Sequence, residues 1–303
     1  MILNLLCMLF LPLLLVGLIN RSKAIAVGRK GAPLLQAWWH FLKLLRKDEV
    51  KSHTASWITD WAPSVAFAAT FIAAFFVPFG SRTGILGFGG DFVFILYLLA
   101  LAKAAMVLAA MDCGSSFEGM GASREISFTA FLEPAFMLIV GTLLLGGRID
   151  SLAALVTGHT INTHDIWSVI TALLTTCALL IMLLVEAARV PFDDPATHLE
   201  LTMIHEVMIL DYSGFSLALI HYTAALKMLI YASLISHLLI PMGIAMFAMW
   251  YLILIFVQAI GIGLLESWIP RFRMNRNLEL VSVPVSISLL VISVLIAKFI
   301  GAW

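Results

Sequence analysis

Several ionisable side chains stand inside or at the ends of long apolar runs: Lys103, Glu133, Glu186, Lys227 and Glu266, with His221 and His237 near the ends of one run. At mid-membrane each such charge costs on the order of 2.5 to 3.5 kcal/mol on the mild insertion scale, so chains retain them where they pair or work. An acid, a lysine and a nearby histidine can hand protons along a buried water chain once burial moves their pKa values toward the working range. The plainer reading is that these groups pair with one another or snorkel and serve helix packing only. For His237, and for His159 and His164 in an external loop, the plainer reading is preferred, and Asp91 at the mouth of its run reads as a cap.

The segment Glu186 to Gly214, EAARVPFDDPATHLELTMIHEVMILDYSG, is the other place where chemistry concentrates. It gathers Glu186, Asp193, Asp194, Glu200, Glu206 and Asp211 with His198 and His205, in a chain only 12% charged. Linking two membrane helices needs a few polar residues, so an acidic, proline-punctuated stretch of this length predicts a surface that handles protons or docks a partner. Glu186 and Arg189 are three apart and share a helix face if the preceding helix continues that far. Pro191 then ends it. Asp194 with Pro195 reads as N-cap and first helical residue of a second helix reaching about Leu210, on which His198 and His205 share a face beside Glu206. Three metal ligands at close helical spacing are absent there, and Cys7, Cys113 and Cys177 are far apart with no CxxC. The expectation is therefore no metal, cofactor or catalytic centre on this chain.

These groups need elements to hold them. With 62% hydrophobic residues and a mean hydropathy of +1.04, the chain lies outside the composition of soluble domains. Eight apolar runs predict spans at about 2–20, 62–79, 92–111, 127–147, 167–187, 214–238, 243–265 and 281–300, each long enough for a hydrocarbon core roughly 30 Å thick. All are expected to be helices, since nothing shows the alternation of barrel strands. The fold class is thus all-α: one polytopic membrane domain over residues 1–303, a bundle of about eight transmembrane helices.

Lysine and arginine cluster in the loops at about 21–61, 112–126, 188–213 and 266–280, which places those loops in the cytoplasm and both termini outside. The charge balance of zero carries no nucleic-acid signal. In the first of these loops Leu34, Leu35, Trp38, Trp39, Leu42 and Leu45 recur at helical spacing beside Lys43, Arg46 and Lys47, the pattern of an amphipathic interfacial helix. It serves as a membrane-surface anchor or lies across a cavity entrance. The second loop, MDCGSSFEGMGASRE, is rich in glycine and serine and reads as a flexible turn or a close passage beneath another subunit.

The chain resembles the membrane subunit shared by respiratory complex I and membrane-bound [NiFe] hydrogenases, the family of complex I subunit 1 or H. The resemblance rests on GRKGAP with Gln36 and KLLRKDEV, GGDFVFILYLLALAK followed by MDCGSSFEGMGASRE, Glu133 in FLEPA, EAARVPFD, Glu200 with Leu201, YSG at Tyr212 to Gly214, and ESWIPRFR. The short GRKGAPLLQ form and the DCGSSF to GASRE loop are nearer the formate hydrogenlyase subunit 4 and hydrogenase-4 component C branch. The resemblance implies a non-redox anchor in the cytoplasmic (inner) membrane. It would lie beneath a small Fe–S subunit and a large [NiFe]-type subunit and beside antiporter-like membrane subunits, with Fe–S clusters and [NiFe] on those partners. It also implies a chamber at the junction, which takes quinone in complex I, and a charged path from it to mid-membrane.

Carried onto this sequence, the path is Lys103, Glu133, Glu186, Arg189, Asp193, Glu200, Lys227 and Glu266. The docking or chamber residues are Arg29, Gln36, Asp112, Arg124, Glu125, His198, Glu206, Asp211 and Tyr212. The sequence departs from the family pattern where Ala196 and His198 stand in place of acids after PFD, and where Asp211 replaces the usual Glu. The function expected is to couple electron transfer in partner subunits to proton or sodium movement. The rival readings are a quinone-reactive complex I subunit proper, a stand-alone secondary ion transporter, and a purely structural tether.

Overall fold

The computed structural model describes residues 2–79, 84–147, 151–152, 166–194, 202–240 and 247–299. Its elements are α1 (Ile2–Ala26), α2 (Gln36–Leu45), α3 (Trp57–Phe76), α4 (Asp91–Asp112), α5 (Ser116–Gly147), α6 (Ile166–Glu186), a 3-10 turn (Glu206–Ile209), α7 (Gly214–Leu239), α8 (Phe247–Trp268) and α9 (Met274–Phe299). All but α2 and the 3-10 turn are long and apolar enough to cross a membrane, which makes eight among the described residues. The expected all-α, multi-pass architecture is what the chain forms.

The helix α7 is the axis of the bundle. About 89% of its apolar window is buried inside the protein, against 28–50% for the other seven spans, and it touches α1, α2, α3, α6 and α8. A helix apolar on every side belongs in a core, and α7 meets that description. Its few hydroxyls bind across helices: Ser233 donates to the Pro78 carbonyl at 2.7 Å and accepts from Tyr251 at 2.9 Å. Such interhelical bonds average about 0.6 kcal/mol in membrane proteins, so they orient α7 more than they stabilise it.

The predicted cytoplasmic connections converge on one end of the bundle. Ser213 bonds the Val50 amide at 2.8 Å, Thr54 bonds the Cys113 carbonyl at 2.9 Å, and Phe272 bonds the Pro191 carbonyl at 3.0 Å. Gly214, at φ 52°, lies where a Cβ would come within 2.8 Å of the Lys47 and Asp48 carbonyls, which accounts for glycine after Tyr212 and Ser213.

Three sequence expectations need correction. First, the glycine-rich 112–126 is mostly helix: α5 begins at Ser116, leaving only Cys113, Gly114 and Ser115 outside it and α4. Its Gly121 is there for contact, because a Cβ would strike the Val207 side chain and lie 3.0 Å from the Ile204 carbonyl. Second, α2 forms as expected but turns Ala37, Trp38, Phe41 and Leu44 toward the bundle, while Leu34, Leu35, Trp39, Leu42 and Leu45 face outward. Both sides are apolar, one for protein and one for lipid, and the expected stripe is mostly the lipid side. Third, where a helix to Leu210 was expected, residues 202–213 hold only the four-residue 3-10 turn; Pro195 to Leu201, including Ala196, His198 and Glu200, lie outside the described residues, as do Arg82, Arg148, His159 and His164.

Two prolines inside spans expose how the bundle closes its backbone. Pro12 in α1 and Pro63 in α3 have no N–H, so the carbonyls four residues earlier, of Met8 and Thr59, lose their helical donors. Tyr222 donates to the Met8 carbonyl at 2.9 Å and Tyr212 to the Thr59 carbonyl at 3.0 Å. Burial pushes the Tyr212 phenol further above its ordinary range, so it stays a protonated donor. Replacing either tyrosine with phenylalanine orphans a buried carbonyl and is expected to cost about 1–3 kcal/mol, read as a lower thermal midpoint of the chain in detergent. Adding Pro12→Ala to Tyr222→Phe returns an amide to Met8 and should recover much of the loss, whereas Pro12→Ala should leave Tyr212→Phe uncorrected.

Candidate functional site

Lys103 lies nine residues before the end of α4 at Asp112, and Glu125 nine residues after the start of α5 at Ser116. The helix α6 ends at Glu186, yet Glu186 reaches Lys103 at 2.6 Å, with Glu125 at 3.7 Å from the same amine. At 1.5 Å per residue, α6 therefore stops about 13 Å short of its neighbours. The chain after Glu186 fills that gap. Lys103 also donates to Thr129 at 3.3 Å, and its side chain and that of Glu186 are 9% and 6% exposed, so the pair is inside the protein.

The way α6 ends separates two residues expected on one face. Ala188 adopts φ 49°, the Ala188 amide bonds the Val185 carbonyl at 3.1 Å, and the Arg189 amide bonds the Leu184 carbonyl at 2.8 Å. This is a Schellman turn, with alanine in the left-handed position that glycine usually takes. It swings Arg189 away from Glu186 and onto Glu266 at 3.3 Å, where Lys23 also arrives at 3.3 Å. The shared face is thus a correction: Glu186 and Arg189 serve different ion-pair clusters.

Asp193 is fully buried and its carboxylate is saturated. It accepts the Asp194 amide at 2.9 Å, the Ile204 amide at 3.1 Å and the His205 amide at 2.9 Å, and pairs with Arg271 at 2.9 Å. Arg271 also donates to the Thr202 carbonyl. Arg124 donates to the Met203 carbonyl at 2.8 Å. These bonds hold the start of the 202–213 segment against the bundle, so Asp193 and Arg124 set the loop rather than join the Lys103 cluster.

Between α1, α2, α7 and this segment lies a cavity of about 550 Å³. Its polar wall comprises Asn20, Gln36, His40, Arg189, His205, Glu206 and His221, and its apolar wall includes Leu13, Phe41 and Met228. The His40 and His221 rings are 6.0 Å apart. Two small spaces lie nearby, the first sharing His205 and Ala224 with the cavity lining. One of about 20 Å³ is bordered by His205, Glu186 and Lys227, and one of about 10 Å³ by Glu186, Lys103, Glu133 and Tyr231. A water needs roughly 10–15 Å³ of such space, so each is of single-water size. His205 borders both the large cavity and the first gap, and Glu186 borders both gaps.

The remaining predicted residues sit elsewhere. Asp112 caps α3, taking the Ser56 amide at 2.8 Å and the Thr59 hydroxyl at 2.8 Å. Tyr212 serves the Thr59 carbonyl, Asp211 lies by Cys113 and Glu118, and Arg29 is exposed beyond α1. Sequence reasoning missed His40 and Tyr231 as lining groups and set His205 on a helix it does not join.

The family model described as NADH dehydrogenase matches residues 1–297. Hydrogenase-4 component C of Escherichia coli (strain K12) is 31% identical over 243 residues, 78% of this chain and 73% of that one. Formate hydrogenlyase subunit 4 of the same strain is 27% identical over 271 residues, 86% and 87% of the two chains. The H subunit of NADH-quinone oxidoreductase from Geobacillus kaustophilus (strain HTA426) is 23% identical over 91% of this chain and 82% of its own. Among solved structures, a chain of the membrane-bound sulfane sulfur reductase, an archaeal respiratory membrane complex, shares the fold with a TM-score of 0.74 at 18% identity, covering 95% of this chain and 98% of that one.

The buried ion pair is open to a direct test. Lys103→Met and Glu186→Gln each strand a charged partner and are expected to destabilise by about 3–5 kcal/mol. The double substitution should cost less than the sum by about 0.5–3 kcal/mol. Strictly additive losses in thermal melts would mean that the two side chains do not meet.

Proposed function

The chain belongs to the NADH dehydrogenase family, in its complex I subunit 1-like form, and from that premise we propose that it is the membrane anchor of a hydrogenase-type or complex-I-like oxidoreductase. In this reading the end of the bundle bearing the cavity faces the cytoplasm and the membrane is the inner one. A small Fe–S subunit and a large [NiFe]-type subunit seat there, and antiporter-like membrane subunits lie alongside. Electron transfer stays on the partners. This chain couples it to the movement of protons, or of sodium.

What carries the reading is the run of shared lining groups: His205 on the cavity, Glu186 and Lys227 with His205 around one single-water space, and Lys103 and Glu133 with Glu186 around another. An imidazole can take a proton on one ring nitrogen and release it from the other, which suits His205 to the boundary between a wet cavity and a buried acid. Glu186 is held by Lys103, so a proton arriving there weakens that pair and shifts the amine toward Glu125, its other neighbour. A chemical event in the cavity would in this way be felt in the middle of the bundle. Asp193, Arg124 and the Arg189–Glu266–Lys23 cluster hold the cavity wall that the event would move.

A quinone-reactive role has one observation in its favour: a cavity of about 550 Å³, within the roughly 300–1,000 Å³ range of small-molecule sites, with an apolar side and polar groups on the other.

Glu133→Gln and His205→Ala test the coupling directly. Both are expected to leave the oxidoreductase complex assembled at wild-type yield and its electron transfer intact when the ion gradient is collapsed by an ionophore. Ion movement per electron, measured in inverted vesicles, should fall severalfold. Normal coupling in both variants at normal assembly would remove the proposed path, and loss of assembly in conservative variants would favour the structural tether.

A further inference from the structure

At the corner between α4 and α5, Cys113, Glu118 and Asp211 each bring one ligand-type atom to within 4.8 Å of the others. We propose that these three side chains form a binding site for a divalent cation of the zinc class. Cys113 and Glu118 are 2% and 1% exposed, and Asp211 closes the site on its solvent side. Glu118 Oε1 accepts the Asp211 amide at 3.1 Å, but Oε2 is buried with no hydrogen-bond partner. Only the Cys113 thiol approaches this carboxylate as a side-chain donor, and a buried carboxylate so weakly met is costly unless a cation or a proton compensates it.

No basic side chain among the described residues pairs with these groups. Asp112 stands beside Cys113, and its carboxylate is engaged by Ser56 and Thr59 hydroxyls and amides. Among the described residues no lysine, arginine or histidine forms an ion pair with Asp112, Glu118 or Asp211; the Lys51–Asp60 pair at 2.7 Å lies in the adjoining groove. Three carboxylates and a thiol are thus gathered without a basic partner. One thiolate with two carboxylates is a mixed soft and hard set, which suits zinc and disfavours magnesium and calcium. Zinc lengths of about 2.3 Å to sulfur and 2.0–2.2 Å to oxygen put tetrahedral ligands roughly 3.5 Å apart, so the three atoms close in by about 1 Å on binding. The Thr59 hydroxyl, 3.9 Å from the Cys113 sulfur, or a water completes the shell.

The site has a consequence for the cavity. Asp211 follows the 3-10 turn whose N-cap His205 and first residue Glu206 line the cavity wall, and Asp193 already fixes the His205 amide. A cation at Cys113, Glu118 and Asp211 ties the other end of that short segment to α4 and α5. Occupancy would set how firmly His205 is held between the cavity and Glu186. This last step rests on the proposed path; the site itself does not.

The test uses the full chain in detergent, stripped with chelator, in a Cys7→Ser/Cys177→Ser background that leaves Cys113 as the single thiol. Titration with Co²⁺ should give one equivalent per chain and a thiolate-to-cobalt charge-transfer band in the near ultraviolet, displaced by Zn²⁺ and not by Mg²⁺. Cys113→Ser should abolish the band, and Glu118→Gln and Asp211→Asn should each weaken binding at least tenfold, with circular dichroism confirming intact helices. A folded parent chain that gives no band, as a protonated Glu118 with no ion would predict, overturns the site. So does a band of unchanged affinity in Glu118→Gln and Asp211→Asn.

Discussion

A charge among membrane-spanning helices must be compensated where it stands, and the contact between Lys103 and Glu186 at 2.6 Å is where this chain meets that demand. Lys103 is fixed deep in α4, so its carboxylate partner has to arrive at the same depth. The chain meets this by ending α6 at Glu186 while α4 and α5 run on. Everything on that side of the bundle follows from the early stop. The backbone turns through Ala188, Arg189 departs to Glu266, and the described residues 187–194 and 202–213 occupy space that a full-length helix would have filled. The cavity is what remains between this segment, α2 and α7.

Irregular backbone at that depth is tolerable only when its polar groups are met from within the protein. Asp193 alone receives three amides and an arginine, and Arg124 takes the Met203 carbonyl. The same rule governs the regular helices: Tyr222 and Tyr212 donate to the carbonyls that Pro12 and Pro63 leave bare. Tyr212 belongs to the connecting segment and Tyr222 to α7, so these bonds also lock the cavity-forming segment and the central helix to α3 and α1. Satisfying orphaned carbonyls and positioning the site are one act.

Eight spans were legible because hydropathy over twenty residues reports solvent directly, and the pairing of buried charges was legible because so few charges interrupt those spans. The details that failed depend on contacts with distant sequence. Gly121 suggests flexibility by composition, yet it is helical because Val207 and Ile204 lie against it. Glu186 and Arg189 have helical spacing, but the left-handed Ala188 intervenes at a residue type that seldom adopts that conformation. In α2 the pattern is apolar on two sides, and only the position of α7 decides which side is inner. Asp193 stands on the path that the family resemblance implies, and its amide partners, eleven and twelve residues on, have no signature in the sequence. The neighbours of Cys113 come from the next helix and from a turn nearly a hundred residues away, so spacing along the chain does not show them.

The departures from the family pattern after PFD acquire a physical meaning in this setting. Where acids are usual, the chain carries Ala196 and His198, and within the described segment it is His205 that borders both the cavity and the gap next to Glu186. Carboxylates added beside Glu186 would compete for Lys103 and Lys227, since each added negative charge in a poorly solvated space raises the cost of the others. In the proposed path an imidazole, that of His205, takes the place beside Glu186 where a further carboxylate would add to this cost. On the proposed path the Lys103–Glu186 pair, whose depth decides where α6 ends, is also the pair that an arriving proton would disturb.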